Sequence, residues 1–225
     1  MTDLLSVIRT TGAVRDFLPD PVDDEALARI LDNARFAPSG GNRQGWHVVV
    51  VQDAAKRQAL RDLYLPGWYE YLAMRAAGLT PWAPITDREK EGEAAANARP
   101  IGDGFAEHLD DVPALLVVFA DLRALAAVDR DGDRYTFAGG ASVYPFVWSI
   151  LLAARAEGLA GVITTMPIKE EHAVKALFDA PPELAVAAVV ALGRPVKQPT
   201  RLTRAPVSTF TTIDSITGPA LPDPS

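Results

Sequence analysis

The apolar runs of this 225-residue chain are strand-sized and alternate with helix-sized amphipathic stretches, and that alternation limits its fold more than any other feature. The longest runs, such as Ala187–Leu192, fall far short of the roughly 18–20 residues that cross a bilayer. Helical spacing predicts helices over Leu4–Thr10 and after Pro21-Val22, where Asp23 is the expected cap and Leu27, Ile30, Leu31 and Ala34 share a face. Further helices are expected over Lys56–Tyr64 and Lys169–Phe178. An apolar helix is expected within Phe137–Glu157, starting or interrupted near Pro145 and closed by Gly158 as a C-cap residue. Strands are expected over His47–Gln52, Pro113–Asp121, Ala160–Thr164 and Leu184–Leu192. Helices and strands in this order indicate a single α/β or α+β domain covering 1–225. Residues 66–112 read as an irregular insertion covering something, and residues from about 195 to 225 as an extended arm whose last eight or so residues fray.

Composition narrows the chemistry. Hydrophobic residues make up 48% of the chain, enough for a substantial core. A net charge of -7 disfavours general nucleic-acid binding. Without cysteine there is no disulfide, thiolate nucleophile or zinc ribbon, which suits the cytoplasm. The N-terminus has no basic region before an apolar run, so a secretory signal is not expected. Three histidines, His47, His108 and His172, are too scattered for a His-rich metal centre. Asp129–Asp133 has its glycine, Gly132, in the fourth position and Gly140 where a calcium loop needs glutamate, so it reads as a solvated turn and no metal site is expected.

Three segments have the residue types for a ligand. Ser39–Gly45 is glycine-rich, but it follows a helix and enters a strand, the inverse of a dinucleotide fingerprint. It offers backbone amides with Ser39, Asn42 and Gln44, whose donors and acceptors suit a heteroaromatic edge. Arg9 and Arg15 flank Thr10–Val14, and Arg201 and Arg204 lie beyond the last strand. If these regions meet, with hydroxyls from Thr10, Thr11 and Thr203, they make a phosphate site. Gly161–Met166 is a strand ending in small polar residues, where α/β proteins hold ligands. Each segment alone equally fits a plain loop, solvated surface charges, or a strand running into a turn.

In this order, the segments resemble the nitroreductase family of flavoproteins. The likeness is carried by Arg15-Asp16-Phe17, Ile30–Ala34, the string Ala37–Trp46, Leu152–Leu159, and Leu192–Pro195 followed by Pro199 and Arg204. It covers most of the chain outside about 66–112. The resemblance implies a nitroreductase-like α+β fold, a central mostly antiparallel sheet flanked by helices, in an intertwined homodimer with FMN at the interface. It assigns Thr11, Gly12, Ala13 and Arg15 with Arg201 and Arg204 to the phosphate. Pro38, Ser39, Gly40, Asn42 and Gln44 would come from the partner subunit to the ring, and Thr164, Thr165 and Met166 would present a backbone amide near the flavin N5 atom. The chain departs from the family pattern at Thr11-Gly12-Ala13, where Arg-Arg-Ser or Arg-His-Ser is usual. It departs again at Gly45, where the usual string is Gln-Pro-Trp, and at Trp148-Ser149, where Gln-Asn is common.

The activity so implied is electron transfer from NADH or NADPH through FMN to a small planar acceptor such as a nitroaromatic or quinone, with no side-chain acid or base. One open ring face serving both substrates predicts ping-pong kinetics. Trp68, Tyr69, Tyr71 and Trp82 are lid candidates. Alternatives are other chemistry on the same fold (flavin fragmentation, dehalogenation or dehydrogenation) or a non-enzymatic flavin binder.

Overall fold

Two strands with almost no polar residue organise the molecule: β2 (Ala114–Asp121) and β4 (Leu184–Gly193), which pair antiparallel at the centre of one sheet. β1 (Trp46–Val50) joins β2 on one side and β3 (Ala160–Thr164) joins β4 on the other, giving the order β1-β2-β4-β3 with every neighbour antiparallel. Six helices complete the element set among the described residues: α1 (Leu4–Thr10), α2 (Asp24–Ala34), α3 (Ala54–Ala76), α4 (Arg88–Ala96), α5 (Tyr144–Ala156) and α6 (Glu171–Leu177). The computed structural model describes residues 3–134 and 137–224. The α+β class and the antiparallel sheet flanked by helices agree with the expectation.

Antiparallel sheets commonly leave one face to water and then alternate apolar with polar residues. Here both faces are covered, which is why β2 and β4 read as unbroken apolar runs. Leu116, Val118 and Ala120 face α2 and α5 through Leu27, Ile30, Phe146, Val147 and Ile150. Leu115, Val117 and Phe119 face α3 and α6 through Leu60, Tyr64 and Val174. Each such side chain contributes about 1.5–3 kcal/mol on burial, so the sheet interior dominates stability. Alternation slips once: the β2–β4 register shifts between Val118 and Phe119, and Ala187 and Ala188 both turn to the α2/α5 face. The Tyr144 hydroxyl donates to the Ala187 carbonyl at this bulge (3.3 Å).

Local chemistry explains the helix ends. Asp23 accepts from the Ala26 amide (2.6 Å) and Asp53 from the Lys56 amide (2.8 Å), each satisfying a free donor of the first turn. Gly158, at φ 78°, closes α5 with bonds from Leu159 N to Ala154 O and from Gly158 N to Arg155 O, a Schellman arrangement. Pro145 lies in the first turn of α5, which therefore starts there and not at Phe137.

Two expectations are corrected. The helix predicted to stop at Tyr64 runs on to Ala76 through Pro66, so residues 66–76 are not irregular. Proline removes one helical bond and crowds the preceding turn, but the turns beyond it bury Gly67 and Met74 and keep the segment helical. Described residues of the expected frayed end also make contacts. Thr212 bridges Ala220, and the Ser208 hydroxyl donates to Asp223 (2.7 Å).

Close packing of β3 on β4 needs Gly161. An added Cβ there would stand 2.3 Å from the Ala191 carbonyl oxygen and 2.6 Å from Leu192 Cδ2. Gly161→Ala is expected to cost about 1–3 kcal/mol through overpacking. In urea titrations this should lower the midpoint with an unchanged slope; an unaltered midpoint would show that β3 can move away without cost.

Candidate functional site

The basic residues singled out at the two chain ends do meet. Ile8 and Arg9 of α1 line one cleft, of about 510 Å³, with Thr200, Arg201, Leu202 and Arg204 of the C-terminal arm. Gly12 permits the approach: a Cβ on it would stand 2.9 Å from Leu202 Cδ2. The glycine that interrupts the family's basic string is thus the residue on which the arm seats. Gln198, which the sequence did not single out, secures the arm by donating to the Thr10 carbonyl (3.4 Å). Among the described residues, Arg9, Arg201 and Arg204 form no ion pair, although the chain is acidic overall. The Arg204 guanidinium donates to the Thr203 carbonyl (2.8 Å). Three guanidiniums without an ion-pair partner around one cleft offer fork-like donors and positive charge of the kind that suits a phosphate.

The neighbouring segments are placed less uniformly. The Thr11 hydroxyl is buried and donates to the Val7 carbonyl at the end of α1 (2.7 Å), so its proton is turned inward. Ala13 pairs with Gly161 at the start of β3, and the Val14 amide donates to the Gly161 carbonyl (2.9 Å). Arg15 does not line the arginine cleft. It borders a separate groove of about 690 Å³ with Phe17, Trp68, Phe105 and His108.

β3 supplies a second recognition element. Peptide groups alternate between the two edges of a strand. The Val14 bond shows that Gly161 directs its peptide groups to the outer edge of β3, away from β4. Ile163 therefore does the same, and the Thr165 amide continues that row. No strand covers this edge beyond Gly161 among the described residues. From Gly161 to Thr164 the strand rises roughly 10 Å. The segment that follows Arg9 thus pairs with the start of this edge, Ala13 with Gly161. Thr164 is half-buried, Thr165 is exposed, and the Met166 amide donates to Thr164 Oγ1 (3.4 Å).

The loop Pro38–Gln44 is ordered by its own bonds. Ser39 Oγ accepts from the Gln44 amide (3.0 Å), the Gly40 amide donates to Ser142 Oγ (2.9 Å), and Gln44 Nε2 donates to Asn42 Oδ1 (3.3 Å). Asn42 (φ 53°) and Gln44 (φ 51°) occupy the left-handed region, a costly conformation for residues other than glycine that recurs at ligand sites. Gly45 takes the place of the family's proline because a Cβ there would stand 2.6 Å from Ala124 Cβ. This loop leads into β1, three strand spacings from β3, roughly 14 Å across the sheet. It does not join the arginine cleft within one subunit.

The chain belongs to the nitroreductase family, whose model matches residues 8–194. It is 31% identical to 5,6-dimethylbenzimidazole synthase of Rhodospirillum rubrum, with 81% of this chain and 77% of that protein covered. It is 27% identical to an NADH dehydrogenase of Thermus thermophilus, with 83% of each covered. Its fold is similar to that of NADPH:FMN oxidoreductase from Vibrio harveyi complexed with NAD+, at a TM-score of 0.67 and 20% identity, covering 95% of this chain and 78% of that one. It is also similar to oxidised iodotyrosine deiodinase bound to FMN and 3-iodo-L-tyrosine, at a TM-score of 0.64 and 24% identity, covering 90% and 95%.

The aromatic lid candidates form a ladder. Tyr64 stacks near Trp68 (6.1 Å between centroids), Trp68 on Tyr71 (5.3 Å), and Tyr71 leans on Trp82 (6.3 Å). Lys169, just beyond β3, pairs with Glu70 and lies over the Trp82 ring (5.0 Å). Tyr69 stands apart, its pKa raised first by desolvation and then by the negative charge of Glu107.

His108, in the wall of the Arg15 groove, is exposed between Asp103 and Asp111. Its pKa is raised, chiefly by the hydrogen bond to Asp103 and next by that to Asp111. Because the folded value lies above the unfolded one, its contribution to stability is full below about pH 6.5 and is lost as pH rises through the folded value. An NMR titration of His108 should show a raised midpoint that Asp103→Asn lowers more than Asp111→Asn does. Equal midpoints in all three proteins would remove the aspartates as the cause.

Proposed function

We propose that this chain is an FMN-dependent oxidoreductase, acting as a homodimer, that moves two electrons from NADH or NADPH to a small planar acceptor such as a nitroaromatic or quinone. The observation that carries this reading is the set of three uncompensated arginines, Arg9, Arg201 and Arg204, together with an open row of strand-edge amides. A phosphate tail calls for the first of those features and a flat ring with hydrogen-bonding edges for the second. FMN, when bound, supplies a two-electron carrier that takes hydride from a reduced nicotinamide and returns electrons to a flat acceptor.

The chain's own residues bind and orient. Arg9, Arg201 and Arg204 would hold the phosphate by charge-assisted hydrogen bonds, with Gly12 seating the arm that carries two of them. Thr165, at the open end of β3, would donate its amide to the ring edge. Thr11 and Ala13 contribute backbone, since the Thr11 hydroxyl is engaged elsewhere. Arg15 would act at longer range, through its charge on the ring side. Pro38, Ser39, Gly40, Asn42 and Gln44 would reach the ring from the partner subunit, which explains a strained, ordered loop outside the cleft of its own subunit.

A dimer also accounts for the apolar surface. Leu4, Leu5 and Ile8 on α1, Tyr144 and Trp148 on α5, and Phe210 and Ile216 on the arm are exposed. Those on α1 and α5 include adjacent positions of one helix, the kind of surface a partner would cover. Of the described helices, none is long and apolar enough to cross a membrane. The 31% identity to 5,6-dimethylbenzimidazole synthase favours a second reading, in which the same flavin site serves other chemistry such as flavin fragmentation.

Arg204→Ala is expected to weaken FMN binding by about 1–3 kcal/mol, the cost of losing one hydrogen bond to a charged group. Flavin fluorescence titration of the apoprotein measures it, and unchanged affinity would take Arg204 out of the phosphate site. Anaerobic stopped-flow mixing of the yellow protein with NADH and with NADPH separates the two readings. Bleaching by neither would overturn the reductase.

A further inference from the structure

Of the bonds that order the Pro38–Gln44 loop, one comes from a distant segment. The Gly40 amide donates to Ser142 Oγ (2.9 Å), 102 positions further along the chain. Ser142 ends the short 3-10 turn Gly139–Ser142 that leads into α5. Its neighbours fix its place. Val143, 2% exposed, and Phe146 pack in the core between α2, α5 and the sheet, and the Val143 amide donates to the Gly140 carbonyl (3.0 Å). The same element meets the exit of the loop. Phe146 stacks on Trp46, the first residue of β1, with ring centroids 4.5 Å apart and planes 3° from parallel. The start of α5 thus grips this segment twice, by a hydroxyl at Gly40 and by a ring at Trp46.

Between those two grips the backbone is held where it would not stay unaided. Gly41 (φ 62°), Asn42 (φ 53°) and Gln44 (φ 51°) all occupy the left-handed region. For Asn42 and Gln44 that conformation is costly and persists only where neighbouring contacts enforce it. Bonds within the loop, from the Gln44 amide to Ser39 Oγ (3.0 Å) and from Gln44 Nε2 to Asn42 Oδ1 (3.3 Å), set its shape. With its amide oxygen engaged, Asn42 offers its Nδ2 hydrogens to an acceptor atom. The internal bonds shape the loop without tying it to the rest of the subunit. Ser142 ties down its entry, so removing the hydroxyl leaves one anchor in place of two.

We propose that Ser142 is a positioning residue: by accepting the Gly40 amide it holds the Pro38–Gln44 loop where Asn42 and Gln44 reach the flavin bound by the partner subunit. The proposal rests on the FMN reading above. Ser142 touches neither flavin nor substrate and acts through the loop alone. A recognition loop ordered beforehand loses less freedom on binding, so this hydroxyl contributes to flavin affinity across the subunit boundary.

The test is FMN affinity in homodimers and in one mixed dimer, measured by flavin fluorescence titration of the apoproteins. Ser142→Ala is expected to raise the dissociation constant about three- to tenfold, the worth of one ordinary hydrogen bond. Ser142→Thr keeps the acceptor oxygen and should bind as the wild type does. A dimer of one Ser142→Ala subunit with one Arg204→Ala subunit separates positioning from a general loss of stability. With the loop serving the partner's flavin, one site carries both defects and the other neither, so half the sites should bind with wild-type affinity. A mixed dimer with no site of wild-type affinity would overturn the proposal, as would wild-type affinity in the Ser142→Ala homodimer. Should Ser142→Ala not fold, amide exchange in the wild-type protein decides. Gly40 is expected to exchange at least about tenfold more slowly than an unstructured amide, and an unprotected Gly40 would overturn the brace. A wild-type protein that binds no FMN would instead overturn the function on which the proposal rests.

Discussion

The burial of β2 and β4 on both faces is the constraint from which the rest of this structure follows. A strand covered on one side needs alternating residues; one covered on both needs apolar residues throughout and a helical layer against each face. Leu115, Val117 and Phe119 call for α3 and α6, while Leu116, Val118 and Ala120 call for α2 and α5. With the centre of the sheet committed in this way, chemistry is displaced to its edges. The outer edge of β3 pairs with no strand beyond Gly161 among the described residues, and α1 and the C-terminal arm meet at one cleft.

That convergence depends on small residues at close contacts. Gly12 lies under Leu202, Gly161 against the Ala191 carbonyl, Gly67 around Met166, and Gly45 beside Ala124. At Gly161 and Gly45 a Cβ would meet a backbone oxygen or another Cβ and is excluded, whereas at Gly12 and Gly67 it would meet the movable ends of Leu202 and Met166. Where the family string is usually basic, this chain has Thr11-Gly12-Ala13, and its arginines stand instead on α1 and on the arm that packs over Gly12. α3, continuing through Pro66, brings Gly67 against Met166 just beyond β3.

Much of this was legible in the order of residues. Asp23, Gly158 and Pro145 mark helix ends for stereochemical reasons that act within a few residues, and the structure places them there. The arginines of the cleft stood out because they are basic positions in an acidic chain. The full length of α3 was not legible, because proline is a local signal to stop and the burial that outweighs it comes from elsewhere in the chain. Gln198 gave no signal either: a glutamine among prolines reads as surface.

By itself the sequence determined most of the elements, the apolar character of the central strands and the family, since periodicity, capping and motif order are properties of neighbouring residues. Only the tertiary structure decided that Arg9 meets Arg201 and Arg204, that Arg15 turns to another groove, and that the Pro38–Gln44 loop stands outside the arginine cleft. Those outcomes depend on contacts between residues far apart in the chain, which no local pattern of residues encodes.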